Sequence, residues 1–462
     1  MNPALENLFG EEYKAKKNIR GAVDHVEASE EQRLWSDCPV LRPKDHVNWL
    51  HHFIALELNV SRLIAGWIPA TPSLEWRMEM PYFMFEDMRH AKCLRERLAE
   101  LSKSSAGIEP SGAILGLLES IAPAESAASF FHEMFGQLKP AILEGYRHYL
   151  QRCDEILDGP TVYLLKQIIL EKERQMDFAK KIFQADPLVP TDSKDAFDYA
   201  AHVKSCLELL GSLAPGCEAA IPFPANPIRD PVGPAPALEL HDPKLKRSDR
   251  YPESTRDSPV HGTLREIVYH MATEWQVISP MCYAYYKLTK MPFEFFVDFS
   301  RHIWDECRHA KVGFRRLREL GFAIDDFIWP SADQPPESVE DFVTMLTLIG
   351  EACSFKRKRG SIIPFLRRGD YRSAILPTVD CSDEQLHVSY GARWVPEIYK
   401  RYRADERQLS EIAQEVRETF LDKYIEKNKI NVLEPGKVKQ INRNLPLFCS
   451  AIEFSNLDFS EY

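Results

Sequence analysis

Four acidic positions in the second half of this 462-residue chain, two of them followed at i+3 by histidine, could do chemistry together: Glu274, Glu306 with His309, Glu351, and Glu384 with His387. Residues three apart on a helix share a face, so each Glu-x-x-His presents a carboxylate and an imidazole toward one point. These positions fall on apolar stripes with steps of three or four: Ile267, Met271, Glu274 and Ile278; Phe299, His302, Glu306 and His309; Leu348, Glu351 and Phe355; Glu384, His387, Gly391 and Trp394. The stripes turn the ionisable groups into a helical core. Four carboxylates buried together need compensating charge, and two divalent metal ions would supply it. A lone Glu-x-x-His has little specificity. Two of them, preceded by a core-facing Glu at 32 and 33 residues, are a specific signal.

The elements that must position these groups are helices. Apolar residues recur at 3.6-residue spacing through most of the chain and alternating β-branched runs are scarce, so the expected class is all-α. Ten prolines between Pro215 and Pro259 mark an extended connector that divides the chain into two helical halves. FEDMRHAKCLRERLAEL at 85–101 aligns without a gap to WDECRHAKVGFRRLREL at 304–320, matching Arg89, His90, Ala91 and Lys92 with Arg308, His309, Ala310 and Lys311. Glu57 precedes Asp87 by 30 residues and Glu274 precedes Glu306 by 32; Glu133 follows His90 by 43 and Glu351 follows His309 by 42. An internal duplication with a period of about 217 residues is the expected origin. The organisation it predicts is an extension at 1–43, a degenerate helical domain at 44–212, the connector at 213–262, a dimetal domain at 263–428 and a tail at 429–462.

The first half keeps Glu57, Asp87, His90 and Glu133, but its fourth helix, LLKQIILEKERQMDFAKKIF at 164–183, has no Glu-x-x-His. Aligning Phe178-Ala179 with Tyr390-Gly391 puts Lys172 where Glu384 stands and Gln175 where His387 stands. A lysine ammonium among three carboxylates supplies charge without a metal, so this half is expected to be a metal-free scaffold. The alternative leaves Lys172 in solvent, with Glu171 or Glu173 completing a weak site.

Composition narrows the function classes. With 58 Lys and Arg against 69 Asp and Glu, the net charge of −11 argues against nonspecific binding of nucleic acid or anionic membranes. The ten cysteines form no Cys-x-x-Cys pair and read as reduced thiols. No 18-residue apolar run occurs, and the first residues read as neither a signal peptide nor a transit sequence, so the expected location is cytoplasmic. His51-His52 and His270 offer no ligand set of their own. Lys356-Arg357-Lys358-Arg359 reads as a solvated helix end, and Trp275, Tyr283, Tyr285 and Tyr286 as core.

Two bare glutamates and two Glu-x-x-His pairs on four helices form the ligand set of di-iron and di-manganese carboxylate bundles. Residues 263–400 resemble the ferritin-like superfamily, and Asp305-Glu306-Cys307-Arg308-His309 is similar to the Asp-Glu-x-Arg-His motif of its di-iron oxygenases. HDPKLKRSDRYP, DECRHAKVGFRRLRELG and SDEQLHVSYGARWV are similar to a bacterial ferritin-like family whose activity is unassigned. The resemblance implies a four-helix bundle with a dinuclear metal site, and it reaches the first half more weakly, through the repeat. It also implies that Asp305 and Asp383 accept hydrogen bonds from the ligand histidines and that Arg308 holds one of them by a salt bridge. The activity expected is an O2-dependent di-iron oxygenase or oxidase acting on a small organic molecule, with manganese suited to the same ligands and an electron-donor protein as partner. The competing expectations are an iron-binding or ferroxidase protein without organic substrate, and a scaffold that metal only stabilises. Gly313 and Gly391, each four residues after a ligand histidine, would open a pocket with Phe355 and Tyr390, or else allow close helix packing. Gly313 stands where the radical-storing ribonucleotide reductase subunits of the superfamily have tyrosine, which excludes a stable radical there.

Overall fold

The computed structural model describes residues 41–102, 112–124, 126–185, 199–211, 274–324 and 335–427, with the shorter stretches 245–248 and 328–330 and the single positions 35, 38, 40, 213, 215 and 242. Most of the Pro-rich connector, both termini, Ile267, His270 and Met271 lie outside the described residues. Within them the chain is all-α, apart from a parallel pair of three-residue strands, β1 (Lys246–Ser248) and β2 (Ile328–Pro330). The first half contributes α1 (Pro43–Trp67), α2 (Leu74–Leu101), α3 (Gly112–Ile121), α4 (Ala127–Glu133), α5 (Lys139–Gln151), α6 (Gly159–Ala185) and α7 (Tyr199–Leu210). The second contributes α8 (Trp275–Lys287), α9 (Phe293–Glu319), α10 (Val339–Thr344), α11 (Glu351–Arg367), α12 (Tyr371–Arg403) and α13 (Leu409–Lys427).

The same irregularity occurs in both halves. A single π-helical turn, Met134–Leu138, joins α4 to α5, and another, Met345–Gly350, joins α10 to α11. Each inserts extra backbone into a helix that otherwise continues, and so rotates the residues beyond it relative to a regular 3.6-residue stripe.

Local sequence chemistry sets the helix ends that matter for the site. Helix α9 closes in a Schellman arrangement, Phe322 N–H bonding to Leu317 C=O and Gly321 N–H to Arg318 C=O, with Gly321 at φ +88° where a side chain would be strained. Helix α11 ends the same way through Gly369 at φ +71°, and the next residue, Asp370, caps α12 by accepting from Ser373 N–H at 3.0 Å. The result is a tight antiparallel hairpin. Lys358 and Asp380, each eleven residues from its apex at Gly369, therefore stand opposite one another.

The halves pack back to back, α2 along α9 and α1 along α8. Phe85 stacks on Trp304 at 4.6 Å, Ser61 and Tyr285 hydroxyls meet at 2.9 Å, and Lys311 pairs with Glu79 at 2.6 Å. Trp275, Tyr283, Tyr285 and Tyr286 are buried in this core. Gly66 is required there, because a Cβ would stand 2.7 Å from the Tyr286 ring. Among the described residues no helix is long and apolar enough to cross a membrane, and Cys38, Cys93, Cys153, Cys206, Cys282, Cys307 and Cys381 are free thiols.

Gly391 overturns half of the pocket expectation. A Cβ built on it would lie 2.2 Å from Thr347 Oγ1 and 3.0 Å from Leu348 Cδ2, both in the π-helical turn, so this glycine admits a neighbouring helix and opens no cavity. Gly313 and Phe355 are buried and Tyr390 is half-buried. Surface clefts of about 280 and 270 Å³ flank α9 and contain none of Gly313, Phe355, Tyr390 or Gly391. Gly391→Ala should therefore overpack the contact between α12 and the π-helical turn and destabilise the fold by about 1–3 kcal/mol, read by chemical denaturation. An unchanged midpoint would show that open space adjoins Gly391 after all.

Candidate metal centre

The second half gathers two buried quartets. His302, Glu306, Glu351 and His387 each offer a donor atom within 4.8 Å of the others, and so do Glu274, His309, Asp380 and Glu384. Helix α9 supplies His302, Glu306 and His309; α12 supplies Asp380, Glu384 and His387. Glu351 opens α11 immediately after the π-helical turn, and Glu274 is the N-cap residue of α8. All six acids and histidines singled out from the sequence are brought together. His302 and Asp380 are additional members, each one helical turn before an assigned glutamate and on the same face.

In the first quartet, Glu306 Oε1 lies 3.3 Å from both His302 Nε2 and His387 Nδ1, and Glu351 Oε1 lies 2.6 and 3.7 Å from the same two nitrogens. Donors bound at about 2.1 Å around one ion stand about 3.4 Å apart in a tetrahedral arrangement, which the three longer separations match; the fourth, 2.6 Å, is a His302–Glu351 hydrogen bond that an ion would replace. In the second quartet His309 Nδ1 lies 3.0 Å from Glu274 Oε2 and 3.4 Å from Asp380 Oδ1. Each of the eight residues keeps a buried oxygen or nitrogen with no hydrogen-bond partner: Glu274 Oε2, His302 Nδ1, Glu306 Oε1, His309 Nδ1, Glu351 Oε2, Asp380 Oδ2, Glu384 Oε2 and His387 Nδ1. Orphaned buried polar atoms are expensive, and seven of these fit ions that would accept their lone pairs; at His302 the orphan is Nδ1, while the nitrogen facing the quartet, Nε2, is bonded to Glu351 Oε1 at 2.6 Å.

The outer nitrogens of two histidines are held by acids from the opposite helix. His309 Nε2 faces Asp383 Oδ2 at 3.0 Å and His387 Nε2 faces Asp305 Oδ2 at 3.4 Å. Asp305 and Asp383 thus sit where the resemblance implies, crossed between α9 and α12. Arg308 donates to Asp305 and, at 3.2 Å, to Asp383, so it serves both. Such contacts fix the tautomer and aim Nδ1 inward.

The electrostatics show how negative this core is. Burial, with Glu384 adding repulsion, pushes Glu351 up to about 7. Burial also works to raise Glu306, but His302 and His387 hold it at about 2. Burial opposes a charged His309, yet Asp380 and Glu274 lift it well above the ordinary imidazole value.

Lys358 is the main correction to the sequence reading. It is 3% exposed, not a solvated helix end, and its Nζ donates to Glu274 Oε1 at 2.9 Å, Asp380 Oδ1 at 2.8 Å and Glu384 Oε1 at 2.6 Å. The signal available was its place two helical turns after Glu351, on the face already assigned to the core.

The first half builds the same framework around ammonium groups. Lys172, fully buried, donates to Glu57 Oε2 at 2.8 Å and Asp87 Oδ1 at 3.0 Å, which excludes the solvent-facing alternative. A second buried lysine, Lys139, donates to Asp87 Oδ2 at 2.6 Å and Gln175 Oε1 at 2.7 Å. Lys139 follows its π-helical turn as Glu351 follows the other. Glu133, expected at that place, lies before the turn and is half-buried, accepting from Gln137, so its pairing with Glu351 is withdrawn. Seven residues on from Lys139, Tyr146 donates to Glu57, as Lys358 does to Glu274 seven residues on from Glu351. The surrounding contacts are retained: His90 Nε2 meets Glu171 at 2.8 Å and Gln175 Nε2 donates to Glu86 at 3.0 Å. Glu171 is thus engaged by His90 and Arg89, and Glu173 pairs with Arg147 at the surface. His52 is buried in this half and His51 half-buried, and neither belongs to a cluster of converging donors among the described residues.

Residues 231–431, somewhat less than half the chain, match the profile of a family described as protein of unknown function (DUF455). That stretch contains both quartets and Lys358; the lysine-filled cluster lies outside it. No curated protein and no solved structure matches the chain.

Removing Lys172 tests the lysine-filled cluster. Burial works to raise Asp87, but Lys139 and Lys172 hold it at about 2 against an ordinary 3.8, so its stabilising contribution is complete above pH 4 and is lost as pH falls toward 2. Lys172 is raised above 10.5 by Asp87 and Glu57 against the cost of burial, so its contribution is complete below that pH and lost only above it. Lys172→Met should therefore cost about 3–5 kcal/mol at pH 7.5, with the deficit shrinking toward pH 4 because Asp87, deprived of one of the two ammonium groups that hold it down, takes up a proton more readily. Urea denaturation at both pH values reads this; an equal deficit at both would show that unpaired carboxylates are not its cause.

Proposed function

We propose that the chain is a non-haem metal-dependent oxidoreductase that uses O2, with its metal centre in the second half and a metal-free counterpart in the first. The observation that carries the reading is the two clusters of four converging donors, with a buried atom left unpartnered on Glu274, Glu306, His309, Glu351, Asp380, Glu384 and His387. An all-oxygen-and-nitrogen donor set without thiolate favours iron, and manganese suits the same atoms. Glu306, Glu351, His302 and His387, with Glu274, His309, Asp380 and Glu384, would hold it, and iron so held would supply electron transfer to O2. The chain's own contribution is to exclude water by burial, to keep His309 and His387 aimed inward through Asp383 and Asp305, and to present the half-buried Tyr390 phenol beside His387, with ring centroids 6.4 Å apart. A small organic molecule as substrate and an electron-donor protein as partner complete the proposal.

The two halves are best read as duplicated ferritin-like four-helix bundles. Support comes from the aligned motifs, the paired π-helical turns and the position-by-position correspondence of Glu57, Asp87, His90, Lys139, Tyr146, Lys172 and Gln175 with Glu274, Glu306, His309, Glu351, Lys358, Glu384 and His387. One observation favours a second reading, that of iron handling or a metal-stabilised scaffold without organic substrate: Thr347 closes the space beside Gly391.

Metal analysis and O2 consumption together test the proposal. Protein loaded with Fe(II) should retain iron through desalting and consume O2, faster with a cognate small molecule present. Glu306→Ala or His387→Ala should reduce retained iron at least tenfold, whereas Asp87→Asn should leave it unchanged. Iron retained without O2 consumption would favour the scaffold, and equal loss from Asp87→Asn would move the metal into both halves.

A further inference from the structure

The two quartets differ in one respect that bears on how many ions they take. Among the described residues no lysine or arginine lies within 4.0 Å of the carboxylates of Glu306 or Glu351. That quartet has two carboxylates and two imidazoles, and its charge is balanced by no lysine or arginine among the described residues. The other quartet has three carboxylates, Glu274, Asp380 and Glu384, and all three protons of the Lys358 ammonium are spent on them at 2.6–2.9 Å. An ammonium has no further donor to give, and its charge already rests on the three carboxylates whose second oxygens, Glu274 Oε2, Asp380 Oδ2 and Glu384 Oε2, a second ion would need.

We infer that Lys358 sets the metal content of this centre: one divalent ion is held tightly by His302, Glu306, Glu351 and His387, and the Lys358 ammonium takes the charge-balancing place of a second ion among Glu274, Asp380 and Glu384. The inference rests on the metal reading above and narrows the two-ion expectation drawn from the sequence. The first half shows the same substitution carried further. There two ammonium groups, Lys139 and Lys172, stand among Glu57, Asp87 and Gln175, and the carboxylates are neutralised with no ion required. Lys358 enters from a different helical position than Lys172. It hangs from α11, whereas Lys172 replaces the α12-type ligand itself, so the second half keeps every donor and adds the cation. A divalent ion brought to Glu274, His309, Asp380 and Glu384 would meet both the Lys358 charge and that of the ion already bound, and like charges in a buried site repel strongly.

Counting bound ions tests this on the full chain. Metal-free protein is equilibrated anaerobically with excess Mn(II), desalted, analysed for manganese and examined by electron paramagnetic resonance. The wild type should retain one ion per chain with the six-line spectrum of an isolated Mn(II), and Lys358→Met should retain two with a spin-coupled spectrum. His302→Ala should lose the wild-type ion and His309→Ala should keep it. Circular dichroism and gel filtration establish that each variant is folded; if Lys358→Met is not, Lys358→Gln removes the charge while keeping a hydrogen-bond donor. Two tightly held ions in the wild type would overturn the inference and leave the metal reading standing. One ion in both wild type and the lysine variant would do the same, as would loss of the ion through His309→Ala with retention in His302→Ala. No retained ion in the wild type, with Fe(II) or Mn(II), would overturn the metal reading itself.

Discussion

A carboxylate taken into a helical core must meet positive charge there, and both halves of this molecule are arranged around that demand. Desolvating an unpaired carboxylate costs more than a protein of ordinary stability can absorb. The first half answers with two lysines: Lys172 between Glu57 and Asp87, and Lys139 between Asp87 and Gln175. The second half answers with only one, Lys358, against Glu274, Glu306, Glu351, Asp380 and Glu384. The shortfall of lysine charge, together with the unpartnered donor atoms, is what sets the second half apart as the candidate metal centre.

The same demand explains why two frameworks so alike in shape tolerate different occupants. In each half an inner histidine nitrogen is turned toward the centre because the outer one is engaged, His309 by Asp383 and His90 by Glu171. Gln175 repeats the geometry of His387 with an amide, its oxygen toward Lys139 and its nitrogen toward Glu86. An amide oxygen accepts from an ammonium, where an imidazole nitrogen would serve a metal. Exchanging a lysine for Glu384 and a glutamine for His387 thus converts the centre without moving a helix, because the outer contacts that orient the side chains remain.

Much of this was legible in the residues themselves, and what was not has identifiable physical causes. The helical class, the six acids and histidines assigned to the candidate centre, and Lys172 follow from a regular 3.6-residue stripe, which holds along α2, α6, α9 and α12. The stripe fails at the π-helical turns. There the extra residue rotates the face, so Glu133, correct by counting, points away, and Lys139, six residues on, points in. Lys358 was hidden by its neighbours, since a run of four basic residues looks solvated unless the face of each is followed separately. His302 lay on a stripe already drawn, but two Glu-x-x-His pairs complete a familiar ligand set and leave a seventh donor unsought. Gly391 was undecidable from spacing, because a glycine that opens a cavity and one that admits a neighbour occupy the same helical position.

The back-to-back packing gives the lysine-filled half a part in the other's geometry. Helix α9 carries His302, Glu306 and His309, and the shoulder it leans on is α2. Phe85 of α2 stacks on Trp304, whose ring is also covered by the guanidinium groups of Arg301 and Arg308 at 5.3 and 5.2 Å. Arg301 donates to Asp305 at 2.8 Å and Arg308 to both Asp305 and Asp383, and these two acids hold the outer nitrogens of His387 and His309. An unbroken set of contacts therefore runs from the first half to the imidazoles of the second. A half neutralised by its own lysines keeps its shape whether or not ions are supplied, so it is a support that does not itself depend on metal. Two halves that both relied on ions would loosen together; with one internally neutral, the α9 donors are held in line independently of any ion, so an ion taken up by the proposed centre would not have to assemble it.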